Sequence, residues 1–127
     1  MKPSVAYQSA SAIAAFLLWG SWAYYTNIEN PQIALSSGVS QGVISALLTI
    51  LMVYFLAKLY TKFNMPLSRI LLPSLLLSLI CVIVGVTVHK LVGTLDIFGT
   101  LMPPLSAGFI FNITTCIKIH NLSQEQQ

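Results

Sequence analysis

Four apolar stretches, at 9–25, 39–59, 70–88 and 99–117, take up most of this 127-residue chain. Each is close to the ~20 residues that a helix needs to cross a hydrocarbon layer of ~30 Å. Backbone polar groups find no water in lipid, so a single-chain span of this length is expected to be helical. The expected fold is therefore all-α: an integral membrane four-helix bundle, one transmembrane domain over 1–127. Only 7% of the residues are charged, against about a quarter in soluble proteins. The short connections leave no room for a separate water-soluble domain.

The basic residues set an expected orientation. Lys2, Lys58, Lys62, Arg69 and Lys118 fall on one side of a four-span topology, and Lys90 alone falls on the other, with Glu29 and Asp96. Basic residues in short loops mark the cytoplasmic side. Both termini are thus expected in the cytoplasm, with the loops at 26–38 and 89–98 outside. Trp22, Tyr24 and Tyr25 at the end of the first stretch, and Tyr54 and Tyr60 in the second, suit the aromatic belts of an interface. The short loops fit a bacterial cytoplasmic (inner) membrane. Lys2 precedes an apolar run, but the run continues through Trp19 and Trp22 and no small-x-small cleavage site follows, so the first helix is expected to be retained.

Prolines and glycines divide the chain. Pro31 and Pro66 are expected in loops, where each blocks helix continuation. Pro73 fits the first turns of the third helix. Pro103 and Pro104 follow Gly93 and Gly99. Either the fourth helix starts at these prolines, or 93–104 forms a broken or re-entrant segment. Val43-Ile44-Ser45-Ala46-Leu47 aligns weakly with Pro104-Leu105-Ser106-Ala107-Gly108, which suggests two parallel helical hairpins related as repeats.

No acid or cationic side chain is expected inside the membrane segments, which argues against a carrier driven by a buried carboxylate. The interior polar residues are nevertheless ordered. Ser37, Gln41, Ser45 and Thr49 recur every four residues and share a helical face, beside the Gly38/Gly42 GxxxG step. Ser74, Ser78, Cys81 and Gly85 form a second stripe, and Pro104, Gly108, Asn112 and Thr115 a third. Such stripes are either packing seams or the lining of a polar cavity. Under the second reading Gln41, Ser45, Thr49 and Asn112 are candidate substrate-binding residues. Gln41 and Asn112 are the most informative, because an unpaired carboxamide in lipid is costly.

His89 and Lys90 are expected at the outer end of the third helix, exposed as a basic pair. There they would hold an anionic lipid or a polyprenyl phosphate, or simply end the helix in solvent. No interior histidine is expected, and Cys81 and Cys116 read as buried packing residues. No catalytic motif, metal site or cofactor site is present in the sequence, so an enzyme is not expected. A nucleic-acid partner is also excluded, because the basic residues form no patch. In size and helix count the chain resembles small bacterial membrane families such as the small multidrug transporters, but its first helix lacks their interior glutamate, and no motif assigns a family. Three roles follow in order of expectation. The chain is a transporter or flippase-type subunit for a lipid-linked or amphipathic substrate, working as a homodimer through its small-residue faces. Alternatively it is a non-catalytic accessory subunit of a larger membrane complex. An intramembrane enzyme comes last.

Overall fold

The computed structural model describes residues 5–125, with only the backbone of Tyr7. The described chain is α1 (Val5–Thr26), α2 (Pro31–Tyr60), α3 (Pro66–Leu91) and α4 (Ile97–Glu125), and it contains no strands. Turns at 27–30 and 92–96 lie at one end of the bundle, and the turn at 61–65 lies at the other. The helices α2, α3 and α4 are long and apolar enough to cross a membrane. In α1 the apolar residues are interrupted by Gln8, Ser9, Ser11 and Ser21, and this helix is not among the three.

Every helix outruns its apolar stretch, because the caps lie beyond it. Asn30 caps α2, accepting from the Gln32 and Ile33 amides at 3.2 and 3.3 Å. Pro31 and Pro66 do not interrupt helices as expected from sequence. Each sits in the first turn of one, where the missing N–H would have had no partner and the fixed φ already suits the helix. Pro73 lies two turns inside α3.

The expectation for the fourth helix is corrected in both its forms. It begins at Ile97, and Pro103 and Pro104 are inside it. Asp96 stabilises this early start by accepting the Gly99 amide at 2.8 Å. Pro103 has no N–H to offer the Gly99 carbonyl four residues back. The Trp22 indole donates to that carbonyl instead, at 3.0 Å, so the donor missing at Pro103 is replaced by a hydrogen bond from α1.

The interior is small and polar, and the surface is large and apolar. Ala23, Ala34, Ser37, Ser74 and Thr100 are buried, whereas Leu75, Leu79, Ile80 and Ile83 of α3 are more than half exposed. A water-soluble fold would reverse this distribution. The backbones of α1 and α2 approach closely at Gly20 and Gly38, where a Cβ on either glycine would lie 2.9 Å from the carbonyl oxygen of the other. The Gly38/Gly42 step is therefore filled by α1 of the same chain, against Gly20, Tyr24 and Phe16. It is not open as a seam for a second copy. Met52, Leu56, Leu77, Cys81 and Cys116 form the apolar core of α2, α3 and α4, with both cysteines free.

Polar ties close both ends of the bundle. At the end with two turns, Asn27 Oδ1 accepts the Leu95 and Asp96 amides, both at 3.0 Å. Its Nδ2 donates to Ala23 O and Thr100 Oγ1. At the other end the Tyr60 hydroxyl meets His120 Nδ1 at 2.7 Å and Ser123 Oγ at 3.2 Å, and the Arg69 guanidinium lies 5.4 Å from the Tyr60 ring centroid.

Because a Cβ at Gly38 meets backbone rather than a movable side chain, Gly38→Ala is expected to destabilise the fold by about 1–3 kcal/mol, the usual range for overpacking. Gly108→Ala is the control, since a Cβ there has no atom within 4 Å. Thermal unfolding of both variants in detergent checks the contrast.

Candidate functional site

The four-residue stripe of α2 brings Ser37, Gln41, Ser45 and Thr49 onto the face that looks into the bundle, and the first three are buried. The stripe of α3 runs Ser74, Ser78, Cys81, Gly85 and continues by one further turn to His89. That continuation places His89 inside the bundle, fully buried. The sequence expectation of an exposed His89–Lys90 pair is therefore corrected. Lys90 lies about 100° further round the helix and is exposed. His89 is an interior histidine, contrary to the expectation of none.

The His89 ring has a partner on each nitrogen. Its Nε2 lies 2.8 Å from Gln41 Oε1 and its Nδ1 lies 2.7 Å from Thr94 Oγ1. Thr94 Oγ1 also meets Ser37 Oγ at 2.7 Å, and Gln41 Nε2 donates to Ser45 Oγ at 3.1 Å. The carboxamide sets the direction of the chain. With its nitrogen donating to Ser45, its oxygen accepts from His89 Nε2–H, and in the neutral ring Nδ1 then accepts from the Thr94 hydroxyl.

Thr94 reaches His89 because of how α3 ends. Gly93 has φ of +74°, a left-handed conformation that glycine adopts without a Cβ clash. The Thr94 amide bonds to the His89 carbonyl at 2.9 Å and the Gly93 amide to the Lys90 carbonyl at 3.3 Å. This pair of reversed bonds is the Schellman ending of a helix. It folds the chain back and delivers the Thr94 side chain to the imidazole near the helix end. Sequence reasoning does not find Thr94. The available signal is Gly93 just past an apolar helix.

Next to this network lies a cavity of about 400 Å³ whose walls come from all four helices. Gln41, Ser45 and Thr49 border it from α2, Ser78 from α3 and Asn112 from α4, while Trp19, Leu101, Leu105 and Phe109 supply apolar surface. Wall residues Ala14 and Leu18 on α1 and Ala107 and Phe111 on α4 are at least partly exposed, which puts the mouth between α1 and α4. Asn112 is 1% exposed. Its Nδ2 donates to Ser78 Oγ at 3.2 Å, and its Oδ1 has no hydrogen-bond partner among the described residues.

Of the sequence candidates, the structure thus gathers Gln41, Ser45, Thr49 and Asn112 around one cavity. It puts His89 behind Gln41, with its nitrogens already engaged, and leaves Lys90 outside. No group of three or more metal-ligating side chains occurs among the described residues. Comparison with known protein families, with curated proteins and with solved structures gives no match.

The His89–Gln41 contact can be measured in a double-mutant cycle of His89→Ala and Gln41→Ala, read by reversible unfolding. The expected coupling is about 0.6–1.7 kcal/mol, the range seen for buried hydrogen bonds between membrane helices. Additive losses would mean that the two side chains do not act on one another.

Proposed function

We propose that this chain is a multi-pass protein of a bacterial cytoplasmic membrane, with both termini in the cytoplasm, which binds and moves an amphipathic or lipid-linked substrate. The observation that carries this reading is the cavity between the helices. Its volume lies in the ~300–1,000 Å³ range of small-molecule sites. Its walls are mainly apolar, with a few convergent polar groups on α2, α3 and α4. Its mouth lies on the side of the bundle, between helices whose outer faces carry large apolar residues. A substrate with an apolar tail can enter such a mouth from a bilayer without crossing water. The polar strip of Gln41, Ser45, Thr49, Ser78 and Asn112 then receives its head. No reaction is proposed: among the described residues the cavity wall presents hydroxyls, carboxamides and a buried thiol, and no acid or base.

The accessory-subunit reading draws on the outer face of α3, where Leu75, Leu79 and Ile83 are more than half exposed. Such a face suits lipid or a partner helix equally, so the cavity favours the first reading.

The purified chain is tested in vesicles carrying lipids labelled with a fluorophore on one acyl chain, with neutral and anionic heads, by the rate at which inner-leaflet label becomes reducible from outside. The expected result is accelerated movement of at least one lipid, lost in Gln41→Leu and Asn112→Leu variants that still fold. If no lipid moves faster than in empty vesicles, and a second protein co-purifies in fixed ratio from native membranes, the accessory reading replaces this one.

Orientation is tested separately. Single cysteines introduced in the 61–65 turn are expected to be shielded from an impermeant thiol reagent added outside cells. Those in the 92–96 turn are expected to react. The reverse pattern would overturn the orientation.

A further inference from the structure

The cavity has one feature that a mere packing gap would lack. Asn112 is almost completely buried, borders the cavity, and is half satisfied. A buried carboxamide oxygen without a partner costs about 1–3 kcal/mol, and native structures rarely tolerate that without a reason. Ser78 Oγ occupies one side of the amide. As placed, with the nitrogen on Ser78, the amide oxygen is left over and requires a donor. A hydroxyl supplies one.

The charge of the surroundings narrows the ligand further. Among the described residues, no Lys, Arg or His borders the cavity. The nearest histidine in the network, His89, has both ring nitrogens bonded to Thr94 and Gln41, and Lys90 is exposed. A phosphate or carboxylate in the cavity would therefore be desolvated without a counter-charge, which is strongly unfavourable. An ammonium would fare no better, because none of the described Asp or Glu residues borders the cavity either. An uncharged polar head is left.

We infer that the cavity takes an uncharged amphiphile whose head carries a hydroxyl, the hydroxyl seated on Asn112 and the apolar tail lying along Leu101, Leu105, Phe109 and Trp19. This rests on the transport reading above and names its substrate class. The head inferred for the cavity is thus a neutral alcohol or partial glyceride, distinct from the anionic lipid or polyprenyl phosphate that the sequence reading places at His89 and Lys90. Gln41 holds the opposite polar wall in place through its bonds to His89 and Ser45, and Thr49 Oγ1 is turned back onto the Ser45 carbonyl at 2.7 Å. Asn112 is thus the wall residue with a fully buried polar atom left without a partner among the described residues.

The test uses the full chain in detergent micelles and three probes of equal chain length: 10-bromodecan-1-ol, 10-bromodecyl phosphate and 1-bromodecane. Bromine quenches tryptophan on contact, and Trp19 is a wall residue. The expected result is saturable quenching by the alcohol at about tenfold lower concentration than by either other probe, the factor expected when one orphaned hydrogen bond is satisfied. In Asn112→Leu the alcohol should lose that advantage while bromodecane is unaffected. In Gly108→Leu, which fills open space beside the cavity, saturable quenching by all three should weaken. Competition with unbrominated 1-decanol and with 1-monodecanoylglycerol separates the two sources of the head: displacement mainly by the first identifies a simple alcohol, and mainly by the second a partial glyceride.

Equal quenching by all three probes would overturn the inference, since it reports partitioning only. Tighter binding of the phosphate would also overturn it. The ranking in the unmodified chain decides the matter even if Asn112→Leu fails to fold. The outcomes separate the two proposals. A tighter phosphate together with lipid movement in vesicles removes the neutral-head inference and leaves the transport reading. Selective binding of the alcohol without movement of any lipid does the opposite.

Discussion

The structure depends on the rule that a polar side chain inside an apolar bundle must find a partner there. Gln41 shows the consequences of that rule for the whole fold. Its carboxamide is buried, 4% exposed, and both ends are satisfied, by His89 on one side and Ser45 on the other. Because His89 belongs to α3, this one side chain sets how far α2 and α3 slide past each other. Because the other His89 nitrogen takes Thr94, the turn after α3 is set as well. That turn must bring Asp96 to the start of α4, so the position of the fourth helix depends on the same chain of hydrogen bonds. Each link is worth little alone, about 0.6 kcal/mol on average between membrane helices. Breaking one in the middle leaves a buried group unpaired on each side, and the penalty for that is larger than the bond.

The same rule explains how much is visible in the sequence. The four apolar stretches show at once that the chain is helical, and the four-residue spacing of Ser37, Gln41, Ser45 and Thr49 gives the inward face of α2 without any structure. Asn112 likewise stands out as a carboxamide that should not face lipid. His89 is misplaced by sequence reasoning for an identifiable reason. Its charge type groups it with Lys90, whereas helical periodicity ties it to Gly85 and Cys81. Hydropathy also underestimates the helix lengths, because it measures the apolar stretch and not the caps. Asn30-Pro31 starts a helix well before the apolar residues begin, and the proline reads as a breaker although it stands in the one part of a helix that tolerates it.

Two features cannot be read from local sequence at all. The Gly38/Gly42 step announces a close approach but does not name its partner, and only the packed structure shows that Gly20 of α1 meets it. Pro103 announces a missing donor but not its remedy. The remedy is an indole from 81 residues earlier, counted from Trp22 to Pro103. Both cases turn on contacts between segments far apart in sequence, which local propensity does not encode.

The cavity follows from where the chain places its ties and its small residues. Asn27, Trp22 and Thr26 join α1 to the start of α4 at one end, and Tyr60 joins α2 to the last turns of α4 at the other. Between these points no hydrogen bond links α1 to α4 among the described residues, and the facing positions are Ser11, Ala14 and Ala15 on α1 against Pro104, Ala107 and Gly108 on α4. Side chains this small leave a gap between the two helices, bordered by Trp19 and Phe109. A bundle closed by large residues at these sites would have been better packed, with more van der Waals contact between its helices. The chain instead keeps small residues at its waist and borders the gap with a carboxamide that is not fully paired. Poor packing and an unsatisfied polar group are each unfavourable in a structure that only has to hold itself together. Their coincidence at one place is what supports the proposed reading of the gap as a binding site.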